Sequence, residues 1–263
     1  IIISIKGYKL SKNEKKLIKE EKPWGLILFQ RNIKSFSQIK KLITNIKKIS
    51  KDPKFPIMID EEGKTVSRLG KIINNKLSQK VFGDIYKSSP VLSSKLYKSY
   101  IDKICLILKN LGFNINTVPV LDVLRKKTHK IIGDRSFSHN PLIVKKLGKI
   151  CVKSYKLNKV GTVIKHIPGH GCSTSDSHLK TPKVNEKYEI LRKIDFFPFQ
   201  SSSSFFAMTA HILYTKIDNE NVATFSRKII LNIIRKKLNF KGILISDDIS
   251  MKALKNDLIT NAK

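Results

Sequence analysis

Residues 165–178 read KHIPGHGCSTSDSH and set His166, His170 and His178 beside Lys165 and Asp176, on a chain interrupted by Pro168, Gly169 and Gly171. Imidazole titrates near about 6.5, so this stretch could shuttle protons or bind a metal, and its glycines could cradle a phosphate. Zinc is the weakest of the three. The spacing of His166 and His170 suits one helical face, but Pro168 and Gly169 break a helix between them, and zinc sites use tighter ligand sets. No metal is therefore expected.

Other ionisable residues follow short apolar runs in the same way. Asp60, Glu61 and Glu62 come after PIMI, and Asp122 after NINTVPVL. Lys165 and His166 close VGTVIKH, His211 closes FFAMTAH, and Asp247 and Asp248 follow GILIS. A charge at the end of a buried strand is costly unless it is used or paired. Five such ends sharing the habit point to one site rather than five unrelated ion pairs. Asp248 is expected to be structural, as a cap after the strand. His211 suits the core or the site equally, and Trp24 reads as packing at a strand start.

These groups need elements to position them. Seven apolar runs read as strands: IIISI, GLILF (25–29), PIMI (56–59), NINTVPVL (114–121), VGTVIKHI (160–167), FFAMTAHI (205–212) and GILIS (242–246). They are continuous rather than alternating, as in a parallel sheet covered on both faces. Amphipathic helices lie between them. Ser11 with Glu14 and Ser35 with Gln38 have capping-box spacing. Residues 93–112 form a helix stopped by Gly112, Pro141 starts another, and residues 226–240 form a third. Steady strand–helix alternation gives an α/β class and a TIM-type (β/α) barrel. The sequence lacks room for a last helix and an eighth strand. A single catalytic barrel domain over residues 1–263, truncated before its last strand, is expected, with open edges beside the first and seventh strands.

Composition narrows the function classes. No apolar run is long enough for a membrane span. The first residues do not resemble a signal peptide, and the chain does not begin with Met. Cys105, Cys151 and Cys172 are odd in number with no paired spacing, so free thiols in a reducing compartment are expected. The formal net charge is +32. The lysines are spread along the chain among Ile and Asn, and only seven of the 52 basic residues are arginine. That pattern reads as compositional bias rather than a nucleic-acid surface, so no specific nucleic-acid partner is expected.

Six ordered motifs carry a resemblance: DEEGKTVSRL (60–69), VPVLDV (118–123), IIGDRSF (131–137), KHIPGHGCSTSDSH, MTAH (208–211) and SDDISM (246–251). Together they resemble the family-three glycoside hydrolases, closest to the bacterial NagZ-type β-N-acetylglucosaminidase subgroup of cell-wall recycling. The resemblance implies a retaining β-N-acetylhexosaminidase without cofactor, with Asp247 as nucleophile. It implies His178 as general acid/base, oriented by Asp176, in place of the second carboxylic acid most retaining enzymes use. Gly169 and Gly171 would let that loop swing, leaving His178 far from Asp247 in the free enzyme. Asp60, Arg68, Arg135, Lys165 and His166 would bind the non-reducing sugar. The implied substrate is an N-acetylglucosamine-containing muropeptide or disaccharide, and the expected enzyme is cytoplasmic and monomeric. Two departures stand out. Lys64 replaces a glycine in the turn that aims Arg68, and Cys172 follows GHG where Asp or Arg is often found. A phosphorylase of the same family and an inactive truncated homologue are the rival readings within the resemblance. A nucleic-acid binder on a barrel scaffold is the rival outside it.

Overall fold

The computed structural model describes residues 1–126, 128–173, 181–254 and 257–262. Seven strands form one all-parallel sheet: β1 (Ile2–Ile3), β2 (Gly25–Leu28), β3 (Ile57–Ile59), β4 (Ile115–Asn116), β5 (Gly161–Ile167), β7 (Phe206–Thr209) and β9 (Ile243–Ser246), hydrogen-bonded in that order. Each falls within one of the seven apolar runs. A separate parallel pair, β6 (Lys183–Val184) and β8 (Leu213–Tyr214), was not evident from the sequence because each member has two residues. Among the described residues β1 and β9 end the strand order, so the curled sheet is open between them.

The helices are α1 (Lys12–Glu20), α2 (Phe36–Ser50), α3 (Gln79–Ser88), α4 (Pro90–Leu111), α5 (Pro141–Leu157), α6 (Tyr188–Lys193) and α7 (Leu258–Ala262). Ser11 and Glu14 complete a reciprocal capping box on α1. On α2, Ser35 accepts from Gln38 N, but the Gln38 side chain reaches back to Lys34 N rather than to Ser35 N. Gly112 ends α4 at φ +100°, a conformation glycine adopts without Cβ strain. The helix expected over 226–240 spans Ile229–Lys237 and is wound as a π-helix, with Leu238 N–H donating to Ile233 O. Helix α3 was not among the helices expected from the sequence. It packs so closely that a Cβ on Gly83 would stand 1.7 Å from Phe137 O.

Side chains alternate between two cores, as the period of two in a strand requires. Outside the sheet, Leu26, Leu28, Ile57, Ile59, Ile164 and Ala207 join the helices in the main core. Inside the curl, Met58, Ile115, Val163, Phe206 and Met208 form a second cluster, flanked by Ile2, Ile27 and Ile245. This parity places the site. Stepping two residues along from inward Met58, Val163 and Ile245 reaches Asp60, Lys165 and Asp247.

Candidate active site

Asp60, Arg68, Arg135, Lys165, His166 and Asp247 all line one cavity of about 820 Å³ at the C-terminal ends of the strands. The six substrate-site and nucleophile candidates that lie in the described residues are therefore brought together. Asp176 and His178 lie outside the described residues. Because the sheet is open between β1 and β9, the cavity continues down the lumen to Ile2 and Trp24. Trp24 meets Phe206 edge-on at 5.4 Å and remains partly exposed there.

The centre of the site is a buried ionic network. Lys165 Nζ lies 3.3 Å from Asp60, 2.6 Å from Glu62 and 2.9 Å from the Thr117 hydroxyl. Arg68 Nη2 donates to the other Asp60 oxygen at 3.0 Å, and the Thr117 hydroxyl donates to Asp60 as well. Arg135 grips Glu62 with two parallel bonds, Nε to Oε2 at 2.7 Å and Nη2 to Oε1 at 2.8 Å, the fork geometry that lysine cannot supply. Burial alone would raise both carboxyl pKa values. The adjacent cations overcome it: Lys165 and Arg68 hold Asp60 well below the usual carboxylate range, and Arg135 and Lys165 bring Glu62 to about 2. Three cations surround two carboxylates, so the network carries an excess positive charge and stays ionised at neutral pH.

Arg68 owes its aim to Glu61. That buried carboxylate accepts from Ser67 Oγ, Leu69 N and Asn75 Nδ2, folding the Ser67–Leu69 segment back over the end of β3. The backbone N–H of Glu61 is itself held by Asn116 Oδ1 at 2.9 Å. Lys64 does not disturb the turn. It is exposed, its N–H bonds to Leu77 O, and the constrained position is Gly63, at φ +135° with Leu77 O 2.2 Å from where a Cβ would sit.

Asp122 organises the other half of the site. Fully buried, it accepts from His166 Nδ1 at 2.7 Å and from the backbone N–H groups of His166 and His170 at 3.2 and 2.6 Å. Burial opposes its ionisation, but His166 and these hydrogen bonds lower its pKa. As an ionised acceptor it fixes His166 with Nδ1–H toward itself, and leaves Nε2 for the cavity. The His170 ring stands edge-on to His166 at 5.7 Å, and burial lowers its pKa to about 4, so it is neutral.

Below the glycines, Asp195 is buried with Arg125 Nη2 at 3.0 Å. Burial outweighs Arg125 and raises the carboxyl pKa to about 7. Gly169, at φ +145°, passes over Asp195 O, which a Cβ would meet at 2.6 Å, and Gly171 passes Val123 O, which a Cβ would meet at 1.8 Å. Both glycines are required by close backbone packing.

Asp247 faces the network from β9, half-buried, with its Oδ1 accepting from Asp248 N at 2.8 Å. Asp248 is exposed. Its Oδ1 accepts from Ser250 N at 2.9 Å and Ser250 Oγ at 2.7 Å, so it fastens a turn, where the sequence suggested a helix cap. From the sequence, Glu62 and Asp122 were grouped with the strand ends of one site and His170 with its loop, but none was given a role, and Thr117 was not singled out. What the sequence withheld was which carboxylate in DEE meets which cation.

A curled parallel sheet covered by helices, with carboxylates and cations at its strand ends around one cavity, is the architecture of the (β/α)-barrel class of enzymes. The chain belongs to glycosyl hydrolase family 3: the N-terminal domain of that family matches residues 2–262, and the chain is a glycoside hydrolase. It is 30% identical over 259 residues to a beta-hexosaminidase of Nitrosomonas eutropha, covering 97% of this chain and 74% of that protein. It superimposes on native NagZ from Neisseria gonorrhoeae with TM-score 0.88 at 28% identity, covering 95% of this chain and 73% of that one. The same enzyme in complex with N-trifluoroacetyl-D-glucosamine gives TM-score 0.87 at 28% identity, covering 95% and 74%.

Proposed function

We propose that the chain is a retaining β-N-acetylhexosaminidase that removes terminal N-acetylglucosamine from peptidoglycan fragments, as a single cytoplasmic domain of cell-wall recycling. The observation that carries this reading is the position of Asp247. It stands on one wall of the cavity, facing a fixed set of hydroxyl-binding groups at Asp60, Arg68, Lys165 and His166. Family membership supports it, as does the N-acetylglucosamine analogue bound by the Neisseria relative.

Asp247 attacks the anomeric carbon as the bond to the leaving oxygen breaks, and His178 gives that oxygen its proton. A water then attacks the glycosyl–Asp247 ester. His178 takes the proton from the water, and the Asp247 carboxylate departs. Asp176 orients His178 and stabilises its imidazolium form. Asp60 accepts from sugar hydroxyls, since the cations beside it keep it ionised, Arg68 and Lys165 supply donors, and His166 offers Nε2 as an acceptor. Arg135, held by Glu62, donates along the same wall.

The test is chromophore release from an aryl β-N-acetylglucosaminide by the chain and by Asp247→Ala, with and without inorganic phosphate. Turnover in buffer that vanishes in Asp247→Ala supports the proposal. Sugar-1-phosphate as the product would replace it with a phosphorylase, and no turnover by the folded chain would sink it.

A further inference from the structure

Asp247 directly follows β9, which pairs with β7 and ends the strand order among the described residues. The turn after it is fastened mostly to itself. Asp248 N bonds to Asp247 Oδ1, Ser250 bonds to Asp248 Oδ1, and Met251 N–H donates to Asp248 O at 3.0 Å. Among the described residues, one hydrogen bond ties Asp247 or Asp248 to another element beyond the strand ladder. It runs from His211 Nε2 to Asp248 O at 3.1 Å.

The partners of His211 settle how it is protonated. A carbonyl oxygen only accepts, so Nε2 carries the hydrogen. His211 is buried, and burial holds its pKa below the ordinary imidazole value, so the ring is neutral and Nδ1 is a bare acceptor. The Thr224 hydroxyl lies 2.7 Å from Nδ1 and donates to it, in preference to the Ala210 carbonyl at 3.2 Å. Thr224 in turn accepts from Thr209 Oγ1 at 3.0 Å. The chain of bonds runs from Thr209, the last residue of β7, through Thr224 and His211 to the backbone beside Asp247.

We propose that His211 is a positioning residue for the nucleophile: in its Nε2–H form it pins the Asp248 carbonyl to the end of β7 and so aims Asp247 into the cavity. The inference deepens the proposed glycosidase reading and takes Asp247 as its nucleophile. His211 is buried and does not line the cavity. Its effect therefore falls on the chemical step, where a displacement of about 1 Å can cost roughly 100-fold.

Two substitutions separate this role from simple packing. In His211→Gln the amide N–H lies near the Nε2 position and can still donate to Asp248 O. In His211→Asn the amide nitrogen lies near Nδ1 and cannot. With the aryl β-N-acetylglucosaminide, His211→Asn should lower kcat by roughly 10- to 100-fold while KM changes by less than about 2-fold. His211→Gln should retain most of kcat. Amide hydrogen exchange of the unliganded chain gives a readout independent of substrate: in His211→Asn it should speed up at residues 247–251 and stay unchanged in α4 and α5. An unchanged kcat in His211→Asn, equal losses in Asn and Gln, a change confined to KM, or exchange that speeds up uniformly or nowhere would each overturn the inference. If the wild-type chain does not turn over the glycoside, the proposed function fails, and the exchange pattern alone decides whether His211 holds the turn.

Discussion

Replacing Glu62 by Gln should destabilise the protein by about 3 kcal/mol at neutral pH, with a specific pH dependence. Glu62 is buried between Arg135 and Lys165. Its pKa falls from the model-compound value of 4.5 to about 2 in the folded chain. That difference between the folded and unfolded carboxyl corresponds to about 3 kcal/mol. The cost of breaking a buried ion pair by removing one partner gives a similar figure of about 3–5 kcal/mol. The amide keeps the shape of the carboxylate but loses its charge, and with its oxygen in the Oε1 position it turns an N–H₂ toward Arg135 Nε. A folded pKa below the unfolded one means the contribution is fully present above about pH 4.5 and lost as pH falls toward 2. About half of it should remain near pH 3. Urea unfolding of wild type and Glu62→Gln at pH 7, 5 and 3 measures this, with a midpoint shift of roughly 1 M at pH 7 for a slope of about 3 kcal/mol/M. A difference below about 1 kcal/mol at pH 7, or one that grows as pH falls, would refute the claim that the network is ionised and mutually stabilising.

Asp122→Asn removes the charged acceptor from His166 Nδ1 and two backbone N–H groups. It should cost about 2–3 kcal/mol and lower Tm by roughly 5–10 °C, read by thermal melts. Asp195→Asn should do the reverse over part of the pH range. The Asp195 pKa of about 7 lies above its unfolded value, so the wild type loses stability as pH rises from about 4 to 7 while the variant does not. The gap between their unfolding free energies should widen through that window and level off above it. A gap independent of pH would show that Asp195 is ionised throughout.

The strands were legible because each is a continuous apolar run, and a parallel sheet covered by helices needs that pattern in every member. The parity of the runs also held the site. Asp60, Lys165 and Asp247 each stand two residues beyond an inward-facing apolar side chain, so the step that points Met58 into the lumen points Asp60 there as well. What the sequence could not give was pairing across the sheet. Glu61 and Glu62 are adjacent and identical in type, yet alternation sends them to opposite tasks. Glu62 neutralises Arg135 and Lys165, while Glu61 folds the Arg68 segment back on the strand. Alternation selects Glu62 for the inside, but which cations it meets there depends on distances across the sheet that the sequence does not carry. The role of Gly171 was hidden in the same way, because its need for a missing Cβ comes from Val123, 48 positions earlier in the chain.

The two sides of the cavity are held by different means, and this bears on how the enzyme would fail. The proposed sugar-binding wall rests on β3, β4 and β5, all interior strands, and its charges are locked into one another at 2.6–3.3 Å. The proposed nucleophile, Asp247, follows β9, which ends the strand order among the described residues and whose Ile243 and Ser246 are exposed. Its turn is joined to the neighbouring strand end by a single side-chain hydrogen bond among the described residues. Ionic locking resists neutral solutes but yields to acid, whereas an edge strand yields to local opening with little change in charge. Binding and turnover should therefore separate under stress. Mild denaturant should abolish kcat first, while an N-acetylglucosamine ligand still binds, and acid should weaken ligand binding as Glu62 begins to protonate. Loss of both functions together at one denaturant concentration would show that β9 opens only when the whole sheet does.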